Sequence, residues 1–202
     1  VKKTFLTWII VFLSTNSLDA KSANPRSHDS RKDIYLLASF CGYVIDKKHF
    51  SAQVVKSSSK VRDNVILLYF HITIKPERKN IYGRLFFSCF TSGSTASKQD
   101  YAQKTTAADE IALEDSGGRY ARHILWQQKY RGRGWNGTVA YTNSVYGDGR
   151  RSSISDYFMI CPDKDGLTCF SFEVTKEKLN TKESNSVPQL LKGIGVSDRF
   201  SR

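Results

Sequence analysis

The chain has 202 residues and a formal net charge of +12, from 31 Lys and Arg against 19 Asp and Glu. Its 40% hydrophobic and 25% charged residues suit a globular chain and exclude one that is disordered throughout. The length suits one ordinary domain. It is too short for a barrel of eight strand–helix units, and no fixed-period repeat of the solenoid or propeller kind is visible.

The first segment reads as an address. Lys2 and Lys3 precede the apolar run Phe5 to Leu13, and a polar stretch with small residues follows from Ser14 to Ala23. That order is the order of a secretory signal peptide, with cleavage expected after Ala20 or Ala23. The apolar core is about ten residues, well short of the roughly 20 that span a bilayer. No Cys lies near either cleavage point to carry a lipid anchor. Val1 in an initiator position would suit a bacterial gene with a GUG start. Loss of residues 1–20 removes Lys2, Lys3 and Asp19, so the net charge falls by only one unit. No other apolar run is long enough for a membrane span. The expected organisation is a signal peptide over 1–20, a flexible leader over 21–30 and one globular domain over 31–202.

Ser30-Arg31-Lys32-Asp33 matches a capping box, and Ile34, Leu37, Ala38 and Cys41 repeat at helical spacing before Gly42. A helix is therefore predicted over 31–41, with a strand as its rival, and a second short helix over 51–59. Residues 65–74 and 81–90 alternate as a hairpin. Ile66, Leu68, Phe70, Ile72 and Ile74 share one face, and Ile81, Gly83, Leu85, Phe87 and Cys89 share the matching one. Ser97-Lys98-Gln99-Asp100 is a further capping box, opening a thin-striped helix to about Asp115. Strands are predicted at 119–130, 137–143, 154–161 and 167–174, with turns at Gly147-Asp148-Gly149 and Asp165-Gly166. A short helix is expected over 187–192, with Pro188 at or near its first position. The expected fold class is α+β: one mainly antiparallel sheet with two to four packed helices, stabilised by disulfides.

Four cysteines in an exported chain allow three pairings. The turn at Asp165-Gly166 between apolar flanks brings Cys161 to Cys169, which leaves Cys41 for Cys89. Tight Cys-x-x-Cys pairs are absent, which argues against zinc. Asp163-Lys164-Asp165-Gly166 matches only part of a calcium loop and reads as a turn. No metal or cofactor is expected.

Catalytic signatures are sparse. The nucleophile elbow, the phosphate-binding loops and the paired-His zinc motif are missing. Of four histidines, His28 lies in the leader and His49 beside Lys47 and Lys48. His71 and His123 are the candidates for acid–base work, and the plainer expectation for each is a partly buried sheet histidine.

The strongest regional feature runs from Ser116 to Gly147, a stretch without Asp or Glu. It carries Arg119, Arg122, Lys129, Arg131 and Arg133 among six Tyr and Trp residues, and Arg150 and Arg151 follow. Arg provides planar, weakly hydrated charge, and rings provide cation–π contact. Tyr130-Arg131-Gly132-Arg133-Gly134-Trp135 reads as an exposed Gly-rich contact loop. The expected binding residues are Arg119, Arg122, Lys129, Arg131, Arg133, Trp135, Arg150 and Arg151. Export shifts the partner from nucleic acid to an anionic protein or envelope polymer. The expected function is that of an exported, non-enzymatic binding protein, in the manner of an immunity or inhibitor protein. The alternative is a small secreted hydrolase, such as a nuclease, using His71 or His123.

Overall fold

Seven segments with apolar residues at every second position, or with a neighbour that has them, build one antiparallel sheet. The computed structural model describes residues 38–39, 41–45, 52–62, 65–75, 79–90, 105–114 and 118–197. The expected signal peptide, the leader, most of the 31–41 helix and the Ser97–Asp100 capping box lie outside the described residues.

The strands in chain order are β1 (Tyr43–Ile45), β2 (Ala52–Arg62), β3 (Val65–Ile74), β4 (Ile81–Phe90), β5 (Tyr120–Gly132), β6 (Trp135–Gly147), β7 (Arg150–Pro162), β8 (Phe170–Val174) and β9 (Ile194–Val196). Helix α1 spans Ala107–Glu114 and α2 spans Thr181–Leu190. The large sheet has the order β2-β3-β4-β8-β7-β6-β5, and β1 pairs with β9 in a separate two-stranded sheet. Every one of these ladders is antiparallel.

The fold is therefore mainly β, which corrects the α+β expectation. Part of the difference is β2, expected as a helix at 51–59. Its Ser57-Ser58-Ser59 run has no apolar alternation to announce a strand. It is held by pairing with β3 from Ala52↔Ile74 to Arg62↔Val65, so the tertiary partner overrides weak local propensity. The two helices are short, 8 and 10 residues. Helix α1 begins at a Thr106/Asp109 cap, where Thr106 Oγ1 accepts from the Asp109 amide at 3.3 Å. Helix α2 begins six residues before the expected 187 and is opened by an Asn180/Glu183 capping box. Pro188 thus lies near its end, not in its first turn.

The expected hairpin of β3 and β4 forms, with the register Ile74↔Ile81 to Val65↔Phe90. Strands β5, β6 and β7 run 13 residues each, longer than expected. Asp148 (φ 51°) and Gly149 (φ 73°) make the β6–β7 turn. Two consecutive left-handed residues are the backbone twist that a two-residue hairpin needs, and Asp-Gly is the pair that tolerates it.

One face of the large sheet is the core. Phe70, Leu85, Phe172, Phe158 and Tyr141 form one row across five strands, and Leu68, Phe87, Phe170, Ile160 and Val139 the next. Strands β1 and β9 and helix α2 cover this face through Tyr43, Ile45, Ile194, Val187 and Leu191. Tyr43 packs 5.1 Å from Phe87 and 5.2 Å from Phe170, centroid to centroid. Helix α1 lies on the opposite face, with Ala107 and Ile111 against Ala140, Met159 and Cys161.

Both expected disulfides form: Cys41–Cys89 ties the segment before β1 to β4, and Cys161–Cys169 ties β7 to the approach to β8. They close chain separations of 48 and 8 residues. The chain-entropy account assigns about 4 kcal/mol to the longer loop and about 2.5 kcal/mol to the shorter. Urea unfolding of the Cys41→Ser/Cys89→Ser protein is expected to show the larger loss. A larger loss from Cys161→Ser/Cys169→Ser would contradict the loop-entropy account.

Candidate functional site

Alternation that buries Phe70, Leu85, Phe158 and Phe172 turns their chain neighbours to the other face. His71, Arg84, Glu173 and Tyr157 therefore stand side by side across β3, β4, β8 and β7. Tyr69, Phe86 and Ser171 form the adjoining row. Bulges at Arg122/Ile124, Ile124/Trp126 and Thr142/Ser144 bend the far strands. Arg122 and Val145 then reach the same place. Together with Ile154, Ser155 and the residues of both rows except His71, they line a depression of about 620 Å³. Small-molecule sites span roughly 300–1,000 Å³. Helix α1 covers the end of this face near Cys161 and leaves the depression uncovered.

Two Arg–Tyr pairs define the electrostatics. The Arg122 guanidinium carbon lies 4.4 Å from the Tyr157 ring centroid, and that of Arg84 lies 6.0 Å from Tyr69. The rings of Tyr69 and Phe86 pack at 4.8 Å, tilted by 33°. Arg84 Nη2 donates to Glu173 Oε2 at 2.5 Å. The Arg84 and Glu173 side chains are 44% and 27% exposed, so the pair contributes at most about 1 kcal/mol to stability. Its effect is to hold the guanidinium in place. A guanidinium stacked on a ring presents its N–H donors in one plane, the geometry that meets a carboxylate or phosphate.

The expected binding residues do not come together as one surface. Arg122 lines the depression. Arg119 lies at the start of β5, where its Nε donates to Asp148 Oδ1 at 3.1 Å, and the Tyr120 hydroxyl donates to Asp148 Oδ2 at 2.9 Å. Arg150 and Arg151 open β7 at the same end, and Arg151 Nε donates to Ser144 Oγ at 2.9 Å. Lys129, Arg131 and Arg133 are exposed at the other end of the β5–β6 hairpin. At about 3.3 Å per residue, strands of 13 residues put these ends on the order of 40 Å apart. Trp135 faces inward: it is 6% exposed, and its indole Nε1 donates to the Ile194 carbonyl at 2.9 Å. The exposed loop contact is thus confined to the arginines.

Sequence reasoning missed Arg84, Tyr69, Phe86, Tyr157 and Glu173. The available signal was aromatic residues at the non-core positions of β3 and β4, an apolar surplus on a face with no assigned cover.

The two candidate histidines lie on β3 and β5. His71 is exposed on the face opposite Phe70 and Ile72. His123 packs edge-on against Tyr146 at 5.5 Å. Four strands separate β3 from β5. Among the described residues, no three His, Cys, Asp or Glu side chains are grouped as metal ligands.

Asp156 is the other group that warrants a chemical reading, because it is fully buried. It accepts from the Tyr141 hydroxyl, and its Oδ2 accepts from the Leu179 amide at 2.8 Å. The first bond ties β6 to β7, and the second anchors the segment that enters α2. Burial first, and the hydrogen bond to Asp156 second, hold the Tyr141 hydroxyl well above its ordinary range. Asp156 therefore joins sheet to helix beneath the core and does not face the depression. Comparison with protein-family models, with curated proteins and with solved structures finds no match.

Burial also raises the hydroxyls of Tyr43 and Tyr130. The unfolded chain loses these protons near pH 10 while the folded chain keeps them. The stabilisation is complete below about pH 10 and is lost as pH rises above it. Urea midpoints are expected to hold level to about pH 9.5 and then fall. The Tyr130 hydroxyl has no hydrogen-bond partner among the described residues. Tyr130→Phe should therefore change stability at pH 7 by no more than about 0.5 kcal/mol and flatten the alkaline fall. Tyr141→Phe removes a donor from buried Asp156 and is expected to cost about 1–3 kcal/mol. Equal midpoints for the two variants at pH 7 would refute this distinction.

Proposed function

We propose that the chain is an exported, non-enzymatic binding protein that holds an anionic partner on the open face of its large sheet. The observation that carries the reading is Arg122, stacked 4.4 Å from Tyr157 and lining the same depression as Arg84. A cation already oriented by its neighbours loses little freedom when it meets an anion. Export is supported by the order of charge, apolar run and small residues over 1–23 and by two disulfides. Such bonds form and persist outside the reducing cytoplasm. No helix among the described residues is long and apolar enough to cross a membrane.

The partner is an anion met outside the cytoplasm. A toxin or hydrolase blocked by an immunity or inhibitor protein is one form, and an envelope polymer is another. The alternative is a small secreted hydrolase using His71 or His123, and the contact of Arg122 with Tyr157 beside Arg84 favours the binding reading over it. Lys129, Arg131 and Arg133 lie at the far end of the hairpin and serve as outlying cations that raise the rate of encounter.

The test is capture from an extract of exported proteins and envelope polymers by the immobilised chain. Arg122→Ala is expected to weaken retention by about tenfold or more, the scale of one charged hydrogen bond. Arg131→Ala/Arg133→Ala should weaken it less and should reduce its dependence on salt. Capture left unchanged by Arg122→Ala would remove the depression from the proposal, and unchanged capture by all three substitutions together would remove the basic surface.

A further inference from the structure

We infer that the depression is a subsite for a carboxylated sugar, so that the anionic partner is an acidic oligosaccharide or polysaccharide. The inference rests on the anionic-partner reading above and narrows it. Three features of the lining decide between an acidic sugar and an acidic peptide.

The first feature is the mixed charge. Glu173 shares the floor with Arg84 and Arg122. The ionised side chains of a segment rich in Asp and Glu are acceptors only, so none of them can satisfy the Glu173 carboxylate. A sugar ring with one carboxylate places that group on a guanidinium and offers hydroxyl donors elsewhere. An ionised Glu accepts such donors and has none of its own.

The second feature is the rings. Tyr69 and Phe86 form a platform with centroids 4.8 Å apart, and Tyr157 stands on the Arg122 side. All three are half-buried on the solvent-facing side of the sheet. The C–H faces of a pyranose are apolar and pack on aromatic faces, while its rim of hydroxyls meets polar groups. Ser155 and Ser171 are such groups, each both donor and acceptor. The lining therefore alternates ring, hydroxyl and ion, as a sugar's own surface does.

The third feature is shape. About 620 Å³ lies on a sheet face without a roof. An unbranched chain can cross such a depression with one or two residues seated and the rest continuing over the surface. The carboxylate of a seated residue meets Arg122, whose guanidinium carbon is held 4.4 Å from the Tyr157 ring centroid.

Titration calorimetry on the full exported chain tests this with three probes of matched length: tetragalacturonate, neutral maltotetraose and tetraglutamate. Tetragalacturonate is expected to bind at least about tenfold more tightly than either of the others. Arg122→Lys keeps the charge but loses the planar donor pair, and should weaken tetragalacturonate by about tenfold. Phe86→Leu keeps every charge but shrinks the platform, and should weaken it by a similar factor; the thermal midpoint of each variant checks that it is folded. Tetraglutamate binding as tightly as tetragalacturonate, with Phe86→Leu indifferent, would overturn the sugar inference and leave the anionic-partner reading standing. Binding by none of the probes, while the chain still captures a protein through Arg122, would overturn the sugar inference in the same way. Failure of every probe together with failed capture would overturn both.

Discussion

The burial of one face of a seven-stranded sheet is the constraint on which the rest of this molecule depends. A strand sends successive side chains to opposite faces, so filling one face fixes the content of the other. Phe70, Leu85, Phe172, Phe158 and Tyr141 run as a continuous row beneath β1, β9 and α2. Their neighbours His71, Arg84, Glu173 and Tyr157 are thereby aligned on the outer face. A slip of one residue in β4 would bury Arg84 and expose Leu85. The core and the candidate site are specified by the same register.

The outer face is then divided by a helix. Helix α1 is tied to the sheet by side-chain acceptors: its Ala107 amide donates to Thr138 Oγ1 and its Ala108 amide to Gln127 Oε1, both at 2.7 Å. These bonds satisfy two of the amides that a helix start leaves without an internal partner. They also fix the helix over Ala140, Met159 and Cys161, where small or sulfur-bearing side chains leave room. The half with large rings and charges stays open. On the core side, Asp156 does comparable work for α2, because its carboxylate bonds both Tyr141 and the Leu179 amide. A buried acid that would otherwise invite a catalytic reading is consumed in joining sheet to helix.

The period-two signal was strong where core residues alternated cleanly, and the β3–β4 hairpin could be read from it directly. The disulfides followed from a turn and elimination. Strand β2 could not be read, because Ser57, Ser58 and Ser59 carry no pattern and the strand exists through its partner β3. Strands β1 and β9 are three residues each, too short for any periodicity to register. The full span of α2 was hidden by its polar first turns, although Asn180 and Glu183 stood at capping-box spacing. Of the candidate site, Arg122 was legible as part of an acid-free stretch. Its companion Arg84 was not, since β4 and β5 share no sequence neighbourhood and three strands lie between them in the sheet.

Net charge and local charge part company in this chain. The acid-free stretch from Ser116 to Gly147 is continuous in sequence, yet folding it into a long hairpin sends Arg119 to one end and Arg131 and Arg133 to the other. At physiological ionic strength the screening length is about 8 Å, so cations on the order of 40 Å apart act as separate centres. The two guanidiniums that line one depression come from segments of quite different composition. Arg84 is paired with Glu173, and Arg122 packs on the Tyr157 ring. On the proposed function, a site with two cations, one anion and three rings would discriminate by arrangement more than by total charge, and the basic composition of the whole chain would add attraction at a distance. On the proposed function, selectivity would reside in the contact of Arg122 with Tyr157 and in the ring pair of Tyr69 and Phe86.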